Sequence, residues 1–305
     1  MFSILKRRIL YVASFLFVLI FFAACTEKAQ IPVIDADLAY KITCDSAAIG
    51  ARYSGSPGAV RQVDYILDTA KSFGMTGAVQ SFFEATPDAE VKFNNIIVDL
   101  PGRSSKYVLV GCHYDTKKLL TDTSFSGAND GASGVGVLLA MIKAVSVNKQ
   151  LPPYALKFVF FDGEECINEY DKNDGLHGSR HFAANLKMRG ELSNCRAVII
   201  ADMVGDRDLQ IELPVNSDKY LKKMFINSAA RLGYGKYFVP GTKEMLDDHT
   251  PFAEAGVPSI DIIDFEYGPG NSWWHTSEDS IDKIDRLSLK IVGDVILDVI
   301  WNMPE

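Results

Sequence analysis

Residues 106–115 read KYVLVGCHYD, an apolar run that stops abruptly at His113 and Asp115. Four further runs share that build: NNIIVDL (94–100), LKFVFF (156–161), AVIIADM (197–203) and SIDIID (259–264). Each is too short for a helix and is bounded by polar or turn-forming residues, so each reads as a buried strand. Helical patterns lie between and around them. GAVRQVDYILDTAKSFG places Val60, Val63, Ile66, Leu67, Ala70 and Phe73 on one face, with Gly74 as a stop. Others follow at GVGVLLAMIKAV (134–145), GSRHFAANLK (178–187), DKYLKKMFINSAARLG (218–233) and SLKIVGDVILDVIW (288–301). Such alternation predicts an α/β three-layer sandwich, with a central mixed, mostly parallel sheet flanked by helices. In that architecture ligands collect at the carboxyl ends of the strands, so the polar residues that follow each run carry the function.

Those residues form a set. His113 and Asp115 follow the run at 106–112, Glu164 and Glu165 follow FVFFDG, and Asp202 follows AVIIA. Asp130 sits in the turn GANDGASG ahead of a helix, and His275 lies in WWHTSED after the last strand. One strand-end carboxylate is ordinarily a helix cap or solvated surface. Five successive connections ending in metal-type ligands are hard to obtain that way. One imidazole and two carboxylates suit a tetrahedral zinc with an open position, and a further His and Asp complete a second site.

The first thirty residues decide the compartment. Lys6, Arg7 and Arg8 precede an apolar stretch from Ile9 to Ala24, shorter than the roughly 20 residues of a spanning helix. It ends in Ala23-Ala24-Cys25, which resembles a bacterial lipoprotein signal, with Phe22 departing from the usual aliphatic residue. The expectation is a signal peptide over 1–25, lipidation of Cys25, and an exported lipoprotein held at a membrane and facing the periplasm or cell surface. A non-lipidated secretory signal and an uncleaved anchor are the alternatives. Residues 26–44 read as a tether and lead-in, and 45–305 as a single catalytic domain without internal linker or repeat. The net charge of −8 argues against nucleic acid or an anionic membrane surface as partner. Cys44, Cys112, Cys166 and Cys195 show no CxxC spacing, and the sequence does not pair them.

The strings HYDTK, GANDGASGVGVLLAM, FFDGEE, DMVG, DDHTPFAEAGVP and WHTSEDS resemble, in order and spacing, the zinc aminopeptidase superfamily of exopeptidases over roughly residues 45 to 300. That resemblance implies that Asp130 bridges two metals, that His113 and Asp202 complete one, that Glu165 and His275 complete the other, and that Glu164 is the general base. All six are present, which argues against a non-catalytic peptide-binding relative. A narrower resemblance is to the secreted glutaminyl cyclases, which convert an N-terminal glutamine to pyroglutamate with loss of ammonia. It rests on the insertion CINEYDKNDG (166–175), on Asp247-Asp248-His249 before Thr-Pro-Phe, and on Trp274 directly before His275. This second resemblance implies one zinc at Asp130, Glu165 and His275, an acidic network of Glu164, Asp202 and Asp247, and a substrate pocket walled by Trp274 and Tyr170. An aminopeptidase would instead use two zincs. Both act on peptide or protein N-termini.

The remaining candidates have structural readings beside functional ones. Trp273 reads as packing. His177 and His181 share a helical face but lack a third ligand, so packing or capping is expected of them. His249 resembles a family position beside the acidic pair, which implies that it supports the site or donates to substrate and is not a ligand. Asp115 is expected to orient His113, and Asp279 to orient His275 or cap a turn.

Overall fold

The computed structural model describes residues 30–119 and 125–304. The signal segment and Cys25 lie outside the described residues. From Ile31 onward the chain forms one compact unit.

Helices α1 (Ala36–Ala48) and α2 (Pro57–Ser72) come first, each started by a side chain that takes free backbone N–H groups: Asp35 for α1 and Ser56 for α2, the latter followed by Pro57. Strands β1 (Gly77–Ala85), β2 (Glu90–Leu100) and β3 (Ser104–His113) lead to α3 (Ala132–Ser146) and β4 (Tyr154–Phe161). After α4 (His177–Met188) and β5 (Cys195–Asp202), a short β6 (Ile211–Leu213) pairs with β7 (Phe238–Pro240) around α5 (Lys219–Arg231). The chain closes with α6 (Thr250–Glu254), β8 (Ser259–Ile263) and α7 (Arg286–Trp301).

The main sheet has the order β1-β2-β4-β3-β5-β8. Pairs β4–β3, β3–β5 and β5–β8 are parallel, while β1–β2 and β2–β4 are antiparallel. Side chains alternate between the two faces, as the pleat requires. Val108, Val110 and Cys112 of β3 join the core under α1, α3 and α7, whereas Tyr107 and Leu109 join the core under α4 and α6. Each fully buried aliphatic side chain contributes ~1.5–3 kcal/mol to this packing. All five expected strands and all five expected helices are present, within a mixed, mostly parallel sheet flanked by helices.

Three differences have physical causes. The folded unit begins before residue 45. Residues 31–44, read as part of a tether and lead-in, enter the core: Ala39 and Ile42 are buried, and Ile34 N–H donates to Asp294 Oδ1 of α7 at 2.9 Å. Helix α1 lies so close to α3 that a Cβ on Gly136 would fall 2.1 Å from Thr43 Oγ1, an approach that only glycine permits. Strand β1 gave no apolar run because it is an outer strand of the sheet and only Phe82 of its residues is buried. Val60, assigned to the apolar face of α2, is 58% exposed and points away from the core.

Candidate metal centre and active site

The sheet delivers the chemistry to one edge. His113 is the last residue of β3, Asp202 the last of β5, and Glu164 and Glu165 follow β4 after a tight turn. Asp130 precedes α3 through Gly131, whose φ of 97° and 2.5 Å clearance to Asp115 O exclude a side chain. His275 itself has a φ of 55°, and Met203, directly after Asp202, a φ of 47°. Non-glycine residues adopt this conformation at a cost of order 1–3 kcal/mol, and such strain concentrates at functional sites.

Two imidazoles converge on one carboxylate. His113 Nε2 lies 3.2 Å from Asp130 Oδ1 and donates to Asp202 Oδ1 at 2.9 Å. His275 Nε2 lies 3.3 Å from Asp130 Oδ2 and donates to Glu165 Oε1 at 3.0 Å. Two three-residue sets therefore share Asp130: His113, Asp130 and Asp202, and Asp130, Glu165 and His275, with ligand atoms within 4.8 Å of one another. Asp130 Oδ2, Glu165 Oε2 and His113 Nδ1 are buried without a hydrogen-bond partner. Such groups are costly to bury and call for a missing partner. A cation ligated by either set would satisfy this excess of carboxylate, so the residues fit a metal.

The electrostatics agree. Burial alone would push both imidazoles down, but the carboxylates outweigh it: His113 is held well above its ordinary range by Asp202, Asp115 and Asp130, and His275 is raised to about 10 by Asp130 and Glu165. Asp130 is driven far down despite its burial, because both imidazoles face it. Glu165 is raised to about 7 by burial and by Asp130. Glu164 is raised well above the carboxylate range, chiefly by burial, with Glu165, Asp247 and Asp248 adding to the rise. Asp202 is raised by burial, and Asp247 is pushed up to about 7 by burial and Asp202.

A cavity of about 210 Å³ opens onto Asp130, Glu164, Glu165, Asp202, Asp247 and His275. Its apolar walls are Met203, Met245, Leu246, Ile263, Phe265 and Trp274, and Tyr170 closes one side. Tyr170 Oη donates to Glu164 Oε1 at 2.9 Å. Trp274 stacks on the His275 ring at 3.9 Å between centroids and meets Phe265 edge-on at 5.1 Å. His113 does not line the cavity and is 1% exposed, so of the two sets only the one with Glu165 and His275 opens fully to a ligand.

The supporting residues act differently from expectation. Asp115 makes no hydrogen bond to His113, whose Nδ1 is 3.6 Å away. Its two oxygens accept instead from the backbone N–H of Glu164 at 3.2 Å and of Glu165 at 3.3 Å, so it sets the turn that aims both glutamates. Asp279 does not reach His275. It accepts from Asn129 N–H, Asp130 N–H and Tyr267 Oη, and so fixes the loop of Asp130. His249 is fully buried, belongs to neither ligand set, and stays neutral, its pKa pushed down to about 4 by burial. His177 and His181 both face Glu84 and join no ligand set. Trp273 packs edge-on against Tyr267. The four cysteines at 44, 112, 166 and 195 are free thiols.

Three contributors escaped the sequence reading. Arg52 is completely buried and donates to the carbonyls of Tyr114, Ser126 and Gly127, tying the strand that ends in His113 to the loop of Asp130. Lys117 places its ammonium 3.8 Å from Glu165 Oε2 and donates to Cys166 O. Asp261 is buried in β8, and its burial, with the nearby charges of Asp247 and Asp202, raises its pKa far up. Its signal was an acid inside the apolar run SIDIID; Arg52 and Lys117 had none.

Comparison with known proteins agrees with this geometry. The sequence pattern of peptidase family M28 matches residues 95–300. A glutaminyl cyclase from an Acidobacteriales bacterium superposes with a TM-score of 0.84 at 35% identity, covering 88% of this chain and 94% of that one. A Zn-dependent exopeptidase from Parabacteroides distasonis superposes with a TM-score of 0.79 at 28% identity, covering 89% and 99%. The glutaminyl-peptide cyclotransferase of Bos taurus is 25% identical over an alignment 283 residues long, which covers 80% of this chain and 76% of the bovine one. The chain belongs to peptidase family M28 and stands among its glutaminyl cyclases.

Proposed function

We propose that this protein is a zinc-dependent glutaminyl-peptide cyclotransferase that converts an N-terminal glutamine to pyroglutamate and releases ammonia. The observation that carries the reading is the cavity in which Glu164, hydrogen-bonded to Tyr170, faces the Asp130, Glu165 and His275 set beneath the Trp274 indole.

Cyclisation needs an electrophile, a proton acceptor and a proton donor. Asp130, Glu165 and His275 would hold one zinc, which when bound supplies Lewis acidity toward the side-chain amide carbonyl of glutamine. Glu164 takes a proton from the α-amine as the amine nitrogen bonds to the amide carbon and closes the five-membered ring. The bond from that carbon to its own nitrogen then breaks, and Glu164 returns the proton to that nitrogen, which leaves as ammonia. A buried carboxylate at the cavity wall is placed to take a proton in one step and return it in the next. Asp202 and Asp247, both at the cavity wall, orient the amine. Trp274 and Tyr170 exclude water, whose attack would release a free acid instead of a ring.

A second reading, a two-zinc aminopeptidase, draws on the sharing of Asp130 between both ligand sets. The products decide. Incubated with zinc and a glutaminyl or leucyl peptide, the protein is expected to yield ammonia and a pyroglutamyl peptide from the first and nothing from the second. Free leucine without ammonia would establish the aminopeptidase.

The basic and apolar N-terminal segment ending at Cys25 supports an exported protein held to a membrane by lipid. Among the described residues, no helix is long and apolar enough to cross a membrane. Cys25→Ser is expected to abolish incorporation of labelled lipid; label retained by that variant refutes the anchor.

A further inference from the structure

A second depression, of about 200 Å³, adjoins the catalytic cavity and is lined by Tyr170, Asp171, Asp174, Arg180, Leu246 and Glu254, among others. It shares two walls with that cavity, Tyr170 and Leu246. It is built from the 166–175 insertion on one side and α6 on the other.

Tyr170 determines which part of a substrate faces this groove. Its hydroxyl is held on Glu164 Oε1, so an N-terminal amine delivered to Glu164 rests against the Tyr170 wall. The carbon that bears this amine also bears the peptide carbonyl. The first side chain extends from that carbon toward Glu165, His275 and Trp274, and the rest of the peptide must leave on the other side, over Tyr170 and Leu246. Another depression adjoins the cavity at Met245, Ile263 and Phe265. It lies beyond Phe265, which packs on Trp274, and therefore at the side-chain end.

The groove also has a charge preference. Its lining carries three carboxylates, Asp171, Asp174 and Glu254, against one cation, Arg180, whose guanidinium donates to the carbonyls of Asp171 and Gly175. Asp174 is buried and accepts from the N–H groups of Ile167, Asn168 and Glu169. Asp171 and Glu254 are exposed at the rim, and Leu246, 49% exposed, offers apolar surface at the entrance. An apolar ledge leading to carboxylates suits a long side chain with methylenes and a cationic end.

The geometry points to this groove as the binding site for the second residue of the substrate, with a preference for lysine or arginine there over an acidic residue. The inference rests on the reading that Glu164 receives a peptide N-terminus, and it holds for either reaction.

The test is kcat/KM, at low ionic strength and with zinc supplied, for Gln-Xaa-Ala peptides with Xaa as Lys, Leu or Glu. The expected order is Lys, Leu, Glu, with an extreme ratio of about ten that narrows as salt is raised. Glu254→Lys is expected to flatten or invert the order. Glu266→Lys, which makes the same charge change at the other depression, should leave it intact. Equal values for the three peptides, an order unaltered in Glu254→Lys, or an identical change in Glu266→Lys would overturn the assignment. If the protein releases leucine instead of ammonia, the Leu-Xaa-Ala series reads the same ratio, so the cyclase reading can fail while the groove is still tested. Turnover of neither series refutes both.

Discussion

Two clusters in this protein use the same side chains to opposite ends. On the outer hairpin, Glu84 sits 2.8 Å from His177 Nδ1 and 3.4 Å from His181 Nδ1. His177 stacks on Phe93 and His181 on Phe82, with ring centroids 4.5 and 3.8 Å apart. One carboxylate serves two imidazoles, and the aromatic faces fill the rest of their surroundings. At the sheet's carboxyl edge, His113 and His275 face Asp130, Asp202 and Glu165, with Glu164 adjoining. There buried carboxylate outnumbers imidazole, and atoms of Asp130, Glu165 and His113 remain without hydrogen bonds. Residue type does not separate the two clusters. Surplus buried negative charge and orphaned ligand atoms do, because each is costly without a cation.

The comparison breaks most visibly at Asp130, the residue common to both sets. Asp130→Ala is expected to empty the site of zinc and to lower ammonia release by at least about 10⁴-fold, checked by metal analysis and the ammonia assay on one sample. Zinc retained at full occupancy would show that the convergence on Asp130 is not the metal centre. Glu164→Gln divides the edge cluster further. It should leave zinc bound while reducing turnover by about 10²–10⁴-fold. Persisting activity would remove Glu164 from the proton transfers.

What the sequence made readable follows the same division. His113, Glu164, Glu165 and Asp202 end or closely follow an apolar run, so period and run length locate them without tertiary knowledge, whereas Asp130 and His275 lie in loops well beyond β3 and β8. The His177 and His181 pair, four residues apart on a helix, has a metal-like spacing, and only the missing third ligand spoke against it. The partners that decide the matter came from elsewhere in the chain. Glu84 lies on β1, an outer strand too polar on its alternate positions to read as one. Arg52 acts on carbonyls 62 to 75 residues away, and Asp115 acts on a turn 49 residues away. Long-range contacts of this kind leave no local periodicity, and α1 was missed for a related reason: its buried face is formed by small and polar residues, including Ala39, Thr43 and Ser46.

The smallest expected effect falls on the hairpin cluster. Burial pushes the Glu84 carboxyl up, but His177 and His181 outweigh it and hold its pKa below the ordinary value. A carboxylate whose folded pKa is depressed contributes stability that is present above its unfolded pKa and is lost as pH falls through the folded one. Glu84→Gln should therefore flatten the acid limb of the stability profile and cost about 1 kcal/mol or less at neutral pH, since Glu84 is partly exposed. Zinc content and kcat should not change. A loss of zinc in this variant would erase the distinction between the two clusters.

The most direct test of the account is titration of the metal-free protein with zinc while ammonia release from a glutaminyl peptide is followed. One metal at Asp130, Glu165 and His275 predicts that activity rises linearly and reaches its plateau at one equivalent. A plateau only at two equivalents, with free amino acid as the product, would contradict it and make both ligand sets catalytic.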